Sequence, residues 1–226
     1  MKRDIFLIKL TLLSCFLLIS GNAIDKIDSS DPPSPDNTPL MARYIVHNTD
    51  WASVATISTQ NSILGYPFVS LKSFCDGPVD NSTGIPYFYM TGMDVSSKDL
   101  ENNNSVTIMT SLAEGDFCSG NEYDPQDPRC PKVMITGKFV KLPESDSEFA
   151  FANQSLFERH PEMSSWPQDH NFYVAKIDME QICVLASFGG IIYVSLSDYF
   201  NPNYTDAINY DSHLRRVSVE HISDDM

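Results

Sequence analysis

The residues best suited to chemistry stand in RHPEMSSWPQDH (159–170), where His160 and His170 share a short stretch with Arg159, Glu162, Asp169 and Trp166. Two chemistries would use such a set. A hydrolytic zinc site wants its histidines on one regular element, as in H-E-x-x-H, so that one helix face aims both at the metal. Here Pro161 follows the first histidine and Pro167 lies between the pair, so no regular element spans them. General acid–base catalysis by Glu162, Asp169 and a histidine needs a pocket that spacing alone does not supply. Elsewhere His47 lies near Asp50, but no activated nucleophile accompanies them. Gly189-Gly190 suits a strand-ending turn as well as a close approach to phosphate. The chain has no P-loop, G-x-G-x-x-G, G-x-S-x-G or kinase signature.

The elements that would position these residues read mainly as β. Strand signals cover 53–59, 68–74, 85–90, 105–112, 133–142, 172–177 and 182–188, with clean alternation of Val106, Ile108, Thr110 and Leu112. Helix is scarcer. One short helix is expected at 96–100, and one within 144–160, where Phe149, Ala152, Leu156 and Arg159 recur at helical spacing before His160-Pro161 stops it. About seven strands with few helices predict a mainly β fold with flanking helices, a closed Greek-key barrel. In such a barrel the 159–170 run is a helix exit and an ordered loop into the next strand. Trp166-Pro167 would cover the barrel, and the histidines would hydrogen-bond to backbone.

The ends set the compartment. Lys2 and Arg3 precede an apolar run over 5–19, and Gly21 and Ala23 follow as small residues, which reads as a secretory signal cut after Ala23. The run is short for a membrane-spanning helix, which needs about 20 apolar residues. Cleavage removes three of 15 basic and one of 30 acidic residues, leaving 12 against 29 and a formal charge of −17. Such a chain repels phosphate backbones, which argues against direct nucleic-acid binding. Residues 24–40 read as a disordered Pro/Asp-rich linker, 41–204 as one domain, and 205–226 as a flexible polar tail. Four sequons, at Asn81, Asn103, Asn153 and Asn203, fit a secreted glycoprotein.

Cys15 leaves with the signal, and Cys75, Cys118, Cys130 and Cys183 remain, with three ways to pair. Cys118 and Cys130 bracket a Gly/Pro/Asp-rich loop between two strand-like runs. Closing it would stabilise by about 3 kcal/mol. Cys75 and Cys183 would then form a second disulfide or stay as buried thiols. No C-x-x-C spacing supports zinc.

Taken together, DWASVATIST, GYPFVS, DGP followed by STGIPYFYMT, FC with DPQDPRC, SLFERHPEMSSWPQDHNFYVAKI and FGG resemble the CREG family of secreted glycoproteins, in the same order over about 42–204. The resemblance implies the split β-barrel of flavin-dependent, pyridoxamine-phosphate-oxidase-like proteins, and a homodimer. It further implies secretion or lysosomal delivery, N-linked sugars, binding to a mannose-6-phosphate receptor, and a role in restraining growth and promoting differentiation. It implies no catalytic, cofactor or metal residues. Related flavin- or haem-handling barrels carry His-Thr-x-Asn where this chain has Ser96-Ser97-Lys98-Asp99. An acid there would repel a phosphomonoester, although Lys98 and Lys72 would partly compensate. The alternative is therefore an FMN-dependent oxidoreductase working in the cleft between protomers. The family's loop cysteines map onto Cys118 and Cys130, and a family glycosylation position lies near Asn203. Cys75 and Cys183 stand outside the family pattern.

Overall fold

Side-chain alternation builds a closed sheet. In the computed structural model, which describes residues 31–203, Val106, Ile108 and Thr110 of one strand point into the core while Thr107 and Met109 point out. Seven strands follow this logic: β1 (Trp51–Ile57), β2 (Pro67–Cys75), β3 (Tyr87–Thr91), β4 (Ser105–Ser111), β5 (Lys132–Lys141), β6 (Phe172–Leu185) and β7 (Ile192–Val194). They run in the order β3-β2-β1-β4-β5-β6-β7, and β3 also pairs with β6. Six strands thus close a ring and β7 lies beside it. Every pairing is antiparallel, and β4 returns beside β1 in Greek-key fashion.

β6 makes the barrel split. Its first part, up to Lys176, closes onto β3, its last part pairs with β7, and β5 accompanies both. The expectation of two strands at 172–177 and 182–188 is corrected, since one strand of 14 residues spans them. The disguise lies at Glu180 and Gln181, two successive exposed polar residues, where the register with β5 shifts across Thr136/Gly137. A Cβ on Gly137 would lie 2.1 Å from the Asp178 carbonyl oxygen, so the shift needs glycine.

A second correction concerns the linker. Helix α1 (Thr38–His47) begins inside the stretch read as disordered, and Pro33 before it is already buried. Asn37 caps it by accepting from the Leu40 N–H at 3.3 Å, with Pro39 in the first turn. Leu40 through His47 are all buried, so the helix has no polar stripe and its periodicity is invisible. Met41, Ile45 and Val46 join Ile108, Ile135 and Ile182 in the main core.

The remaining helices are α2 (Val95–Asn102), α3 (Asp116–Gly120), α4 (Phe149–Arg159) and α5 (Leu196–Phe200). Ala152 and Leu156 of α4 cover the outer side of the barrel over Cys75, Tyr87, Leu142 and Val174. The disulfide Cys118–Cys130 closes the loop that holds α3, with Cα atoms 5.3 Å apart. The second disulfide is corrected, because Cys75 and Cys183 are free. Cys75 lies opposite Tyr87, which lies opposite Lys176, and Cys183 is seven residues further along β6. That is roughly 20 Å of strand, several times the Cα separation a disulfide tolerates.

The expected signal at 1–23, the linker up to residue 30 and the tail at 205–226 lie outside the described residues. Among the described residues no helix is long and apolar enough to cross a membrane.

Candidate functional site

The 159–170 run is spent on holding the barrel together. Arg159, in the last turn of α4, donates to the Asp50 carboxylate at 2.7 Å and to the His47 carbonyl at 3.1 Å. His160 terminates the helix, and its Nε2 donates to the Phe74 carbonyl at 2.8 Å, tying α4 to β2. A 3₁₀ segment (Pro161–Ser165) follows. Trp166 then lies against Phe172 and Tyr89, with ring centroids 5.2 and 6.1 Å away. At His170 the backbone takes part, since its carbonyl accepts from Thr91 Oγ1 at 2.6 Å, and the ring lies beside Phe172. Glu162 and Asp169 are exposed. Among the described residues no three His, Cys, Asp or Glu side chains are gathered as a metal site would require.

A denser polar cluster forms where sequence spacing shows none. His47, at the end of α1, reaches Asp76 rather than Asp50, with Nδ1 2.7 Å from Oδ1. Its Nε2 lies 2.9 Å from the Val79 carbonyl. A carboxylate at Asp76 and the Val79 carbonyl both accept, so the two contacts are satisfied together by the doubly protonated, imidazolium form of the ring. Burial of the ring opposes that charge. The hydrogen bond and the negative charge of Asp76, with the Val79 carbonyl, outweigh burial and raise the His47 pKa above 6.5.

Asp76 is fully buried, and its second oxygen accepts from Ser82 Oγ at 2.5 Å and from the Gly84 N–H at 3.0 Å. Arg43, one helical turn before His47, donates to the Ser82 carbonyl and hydroxyl at 2.8 and 2.9 Å. Tyr199 of α5 closes the cluster by donating to the Gly84 carbonyl at 2.7 Å. Gly84 has φ +79°, and a Cβ there would meet the Arg43 side chain at 2.7 Å. Serine, histidine and aspartate are all present, yet in the wrong order for nucleophilic catalysis. The hydroxyl is bonded to the carboxylate, and the charged histidine cannot take its proton. The cluster pins the loop 76–86 onto α1. Only the turn residues DGP and STG hinted at it, because the partners lie about thirty to forty residues apart.

The segment Ser96-Ser97-Lys98-Asp99 occupies the start of α2. Asp94 caps that helix, accepting from the Ser96 N–H and hydroxyl at 2.8 and 2.6 Å while its other oxygen holds Lys72 Nζ at 2.8 Å. Asp99 is fully buried. Its oxygens accept from the Thr59 N–H and hydroxyl, both at 2.7 Å, and from Thr56 Oγ1 at 2.9 Å. Burial alone would raise its pKa, but these donors outweigh burial and lower it. Ser97 Oγ accepts from Tyr173 at 3.1 Å, and Lys98 is exposed. A phosphomonoester placed here would meet the half-buried Asp94 carboxylate, with the buried charge of Asp99 behind it and Lys72 already engaged. These residues do not fit a flavin phosphate.

Of the four sequons, Asn81 and Asn203 are exposed, while Asn103 and Asn153 are half-buried. Asn103 Oδ1 accepts from the Ser105 N–H at 3.1 Å, and Asn153 stands mid-way along α4.

Comparison with known proteins agrees with this geometry. Residues 33–201, about three quarters of the chain, match the family model described as "CREG, beta-barrel". Protein CREG1 of Gallus gallus is 42% identical over 171 residues, covering 75% of this chain and 88% of that protein. Protein CREG1 of Homo sapiens is 38% identical over 172 residues, covering 75% and 77%. Protein CREG2 of Mus musculus is 39% identical over 172 residues, with 76% of this chain and 59% of that protein aligned. Among solved structures, a heme binding protein from Mycobacterium smegmatis superposes with a TM-score of 0.56 at 16% identity, over 71% of this chain and 58% of that one. Protein Atu2129 from Agrobacterium tumefaciens gives 0.55 at 16% identity, over 75% and 64%. Those two likenesses speak for the split barrel, and the sequence matches speak for the lineage within it. With a ring of six strands and a family match over three quarters of its length, the chain belongs to the CREG β-barrel family.

Proposed function

We propose that this protein is a non-enzymatic homodimeric glycoprotein of the secretory route, released or delivered to endosomes and lysosomes. It acts by binding a sorting receptor of the mannose-6-phosphate type in the control of growth and differentiation. The observation that carries the non-enzymatic part is the α2 start, where Asp94 and Asp99 stand with their hydrogen bonds satisfied internally. A barrel that handled FMN would need donors aimed outward at that place.

The dimer draws on the outward side of the sheet. One register row crosses it through Leu71, Ser53, Met109, Met134, Cys183 and Tyr193, on β2, β1, β4, β5, β6 and β7. Leu71 is 62% exposed, Tyr193 69% and Met109 43%, with Val69 at 57% beside them. An exposed strip of this kind, apolar apart from Ser53, marks an association surface, and a second copy offers its match. The sequons and the net charge of −15 support a surface read through its sugars and carboxylates rather than one that grips nucleic acid.

Titrating protein from a secretory host with FMN tests the reading. No flavin absorbance should be retained after gel filtration. Stoichiometric retention would replace this reading with the flavin-dependent oxidoreductase. In sedimentation velocity the protein should run as a dimer, and Leu71→Glu with Met109→Glu should run as a monomer.

A further inference from the structure

We propose that the sugar chain on Asn153 does not project freely into solvent but lies with its first two residues in an aromatic groove of its own domain. This rests on the reading of the protein as a secretory-route glycoprotein. Three observations carry it.

The first is the groove, of about 570 Å³, between α4 and the outer side of β3 and β6. That volume falls within the roughly 300–1,000 Å³ of ordinary small-ligand sites. Its floor is aromatic. Tyr89 and Phe172 stack with centroids 4.8 Å apart, and Phe157 meets Tyr89 edge-on at 5.2 Å. Tyr173 belongs to its lining as well. These side chains are half-buried rather than sealed in the core. Pyranose rings present flat C–H faces that rest on such surfaces, and aromatic residues with polar edges suit a ligand that is part apolar and part wet.

The second is the placing of the sequon. Phe149, Asn153 and Phe157 follow at intervals of four on α4, so they share one helix face, and all three line the groove. The point of attachment is therefore part of the wall. Among the described residues the Asn153 carboxamide has no hydrogen-bond partner. The rim adds the Glu144 carboxylate and the Gln168 amide, groups that suit hydroxyl and acetamido partners.

The third is Ser155, the hydroxyl residue of this sequon. It is 2% exposed, and its hydroxyl donates to the Phe151 carbonyl at 2.8 Å. An enzyme reading the sequon cannot reach that hydroxyl in the folded helix. The sugar must be added to the nascent chain, and α4 then folds down and carries it into the groove.

The test compares enzymatic release of the sugar at each sequon from native full-length protein made in a secretory host, resolved by glycopeptide mass. The sugar at Asn153 should be released at least tenfold more slowly than those at Asn81 or Asn203, and at the same rate after denaturation. Phe172→Leu keeps apolar volume but removes the ring face, and should bring the native rate at Asn153 to that of the other sites. Equal rates in the native wild-type protein would overturn the docking, as they would if a second copy or the residues beyond 203 filled the groove. Sugar at the other sequons with none at Asn153 would overturn it too, and would leave the glycoprotein reading standing. No sugar at any sequon would overturn both.

Discussion

Asp76 and Asp99 are both fully buried carboxylates, and each ties a loop to a helix, yet they are held by opposite means. Asp76 faces the imidazolium of His47, with Ser82 and Gly84 as further donors. Asp99 is held by neutral donors, the hydroxyls of Thr56 and Thr59 and one backbone N–H. The first arrangement needs a second ionised group in the interior and the second does not. The difference should therefore appear as two different responses to pH.

Linkage fixes the sign of each. The His47 pKa is raised above 6.5, so its stabilisation is complete below that value and is lost as pH rises through the folded pKa. The Asp99 pKa is lowered from 3.8, so its stabilisation is present above that value and is lost as pH falls through the folded pKa. Asp94 behaves in the same direction as Asp99. Burial opposes its charge, but Lys72 and Ser96 more than compensate. The site of the ion pair favours mild acid, and the α2 site is indifferent until strong acid.

The largest effect should come from Asp76→Ala. It leaves a buried imidazolium without its counter-ion and Ser82 and Gly84 without an acceptor, at a cost of about 3–5 kcal/mol in denaturant unfolding at pH 6. Asp99→Ala strands neutral donors only, and should cost about 2–3 kcal/mol. A larger loss at Asp99 than at Asp76 would break the distinction between the two sites.

Next in size, His47→Gln should cost about 1–2 kcal/mol at pH 6, and less at about pH 8. The wild-type unfolding midpoint should fall between those two pH values while the variant stays nearly flat. A variant that keeps the full slope would show that another group drives it. The smallest effect belongs to Thr59→Val, which removes one hydroxyl donor and leaves the backbone N–H. A loss of about 1 kcal/mol, with the pH profile unchanged, would sharpen the contrast.

Much of the barrel was legible because its strands alternate. The segments at 105–112 and 133–142 fell within a residue or two of β4 and β5, since one side of each is buried and the other wet. The stop of α4 at His160-Pro161 was legible for a local reason too, the constraint that proline places on the residue before it. The short loop between Cys118 and Cys130 was readable on the same terms.

Elements whose pattern depends on what surrounds them were not. α1 is buried on every side and so reads as an aperiodic, proline-started stretch. β6 bends past a register shift and reads as two strands, and β7 and α5 are too short to carry a period. The candidate site was half legible. The sequence points to a backbone partner for His160, which is found at Phe74, and leaves open a pairing of Cys75 with Cys183, which does not occur.

By itself the sequence determined strands β1 to β5, the helix stop, the short disulfide loop and the family, all through local periodicity or motif. Only the tertiary structure decided that His47 binds Asp76 across 29 positions, that Arg159 binds Asp50 across 109, and that Asn153 stands in an aromatic wall. The physical reason is one of range. Alternation and capping are written in neighbours along the chain, while the partner of a buried polar group is chosen by which surfaces closure of the barrel brings together.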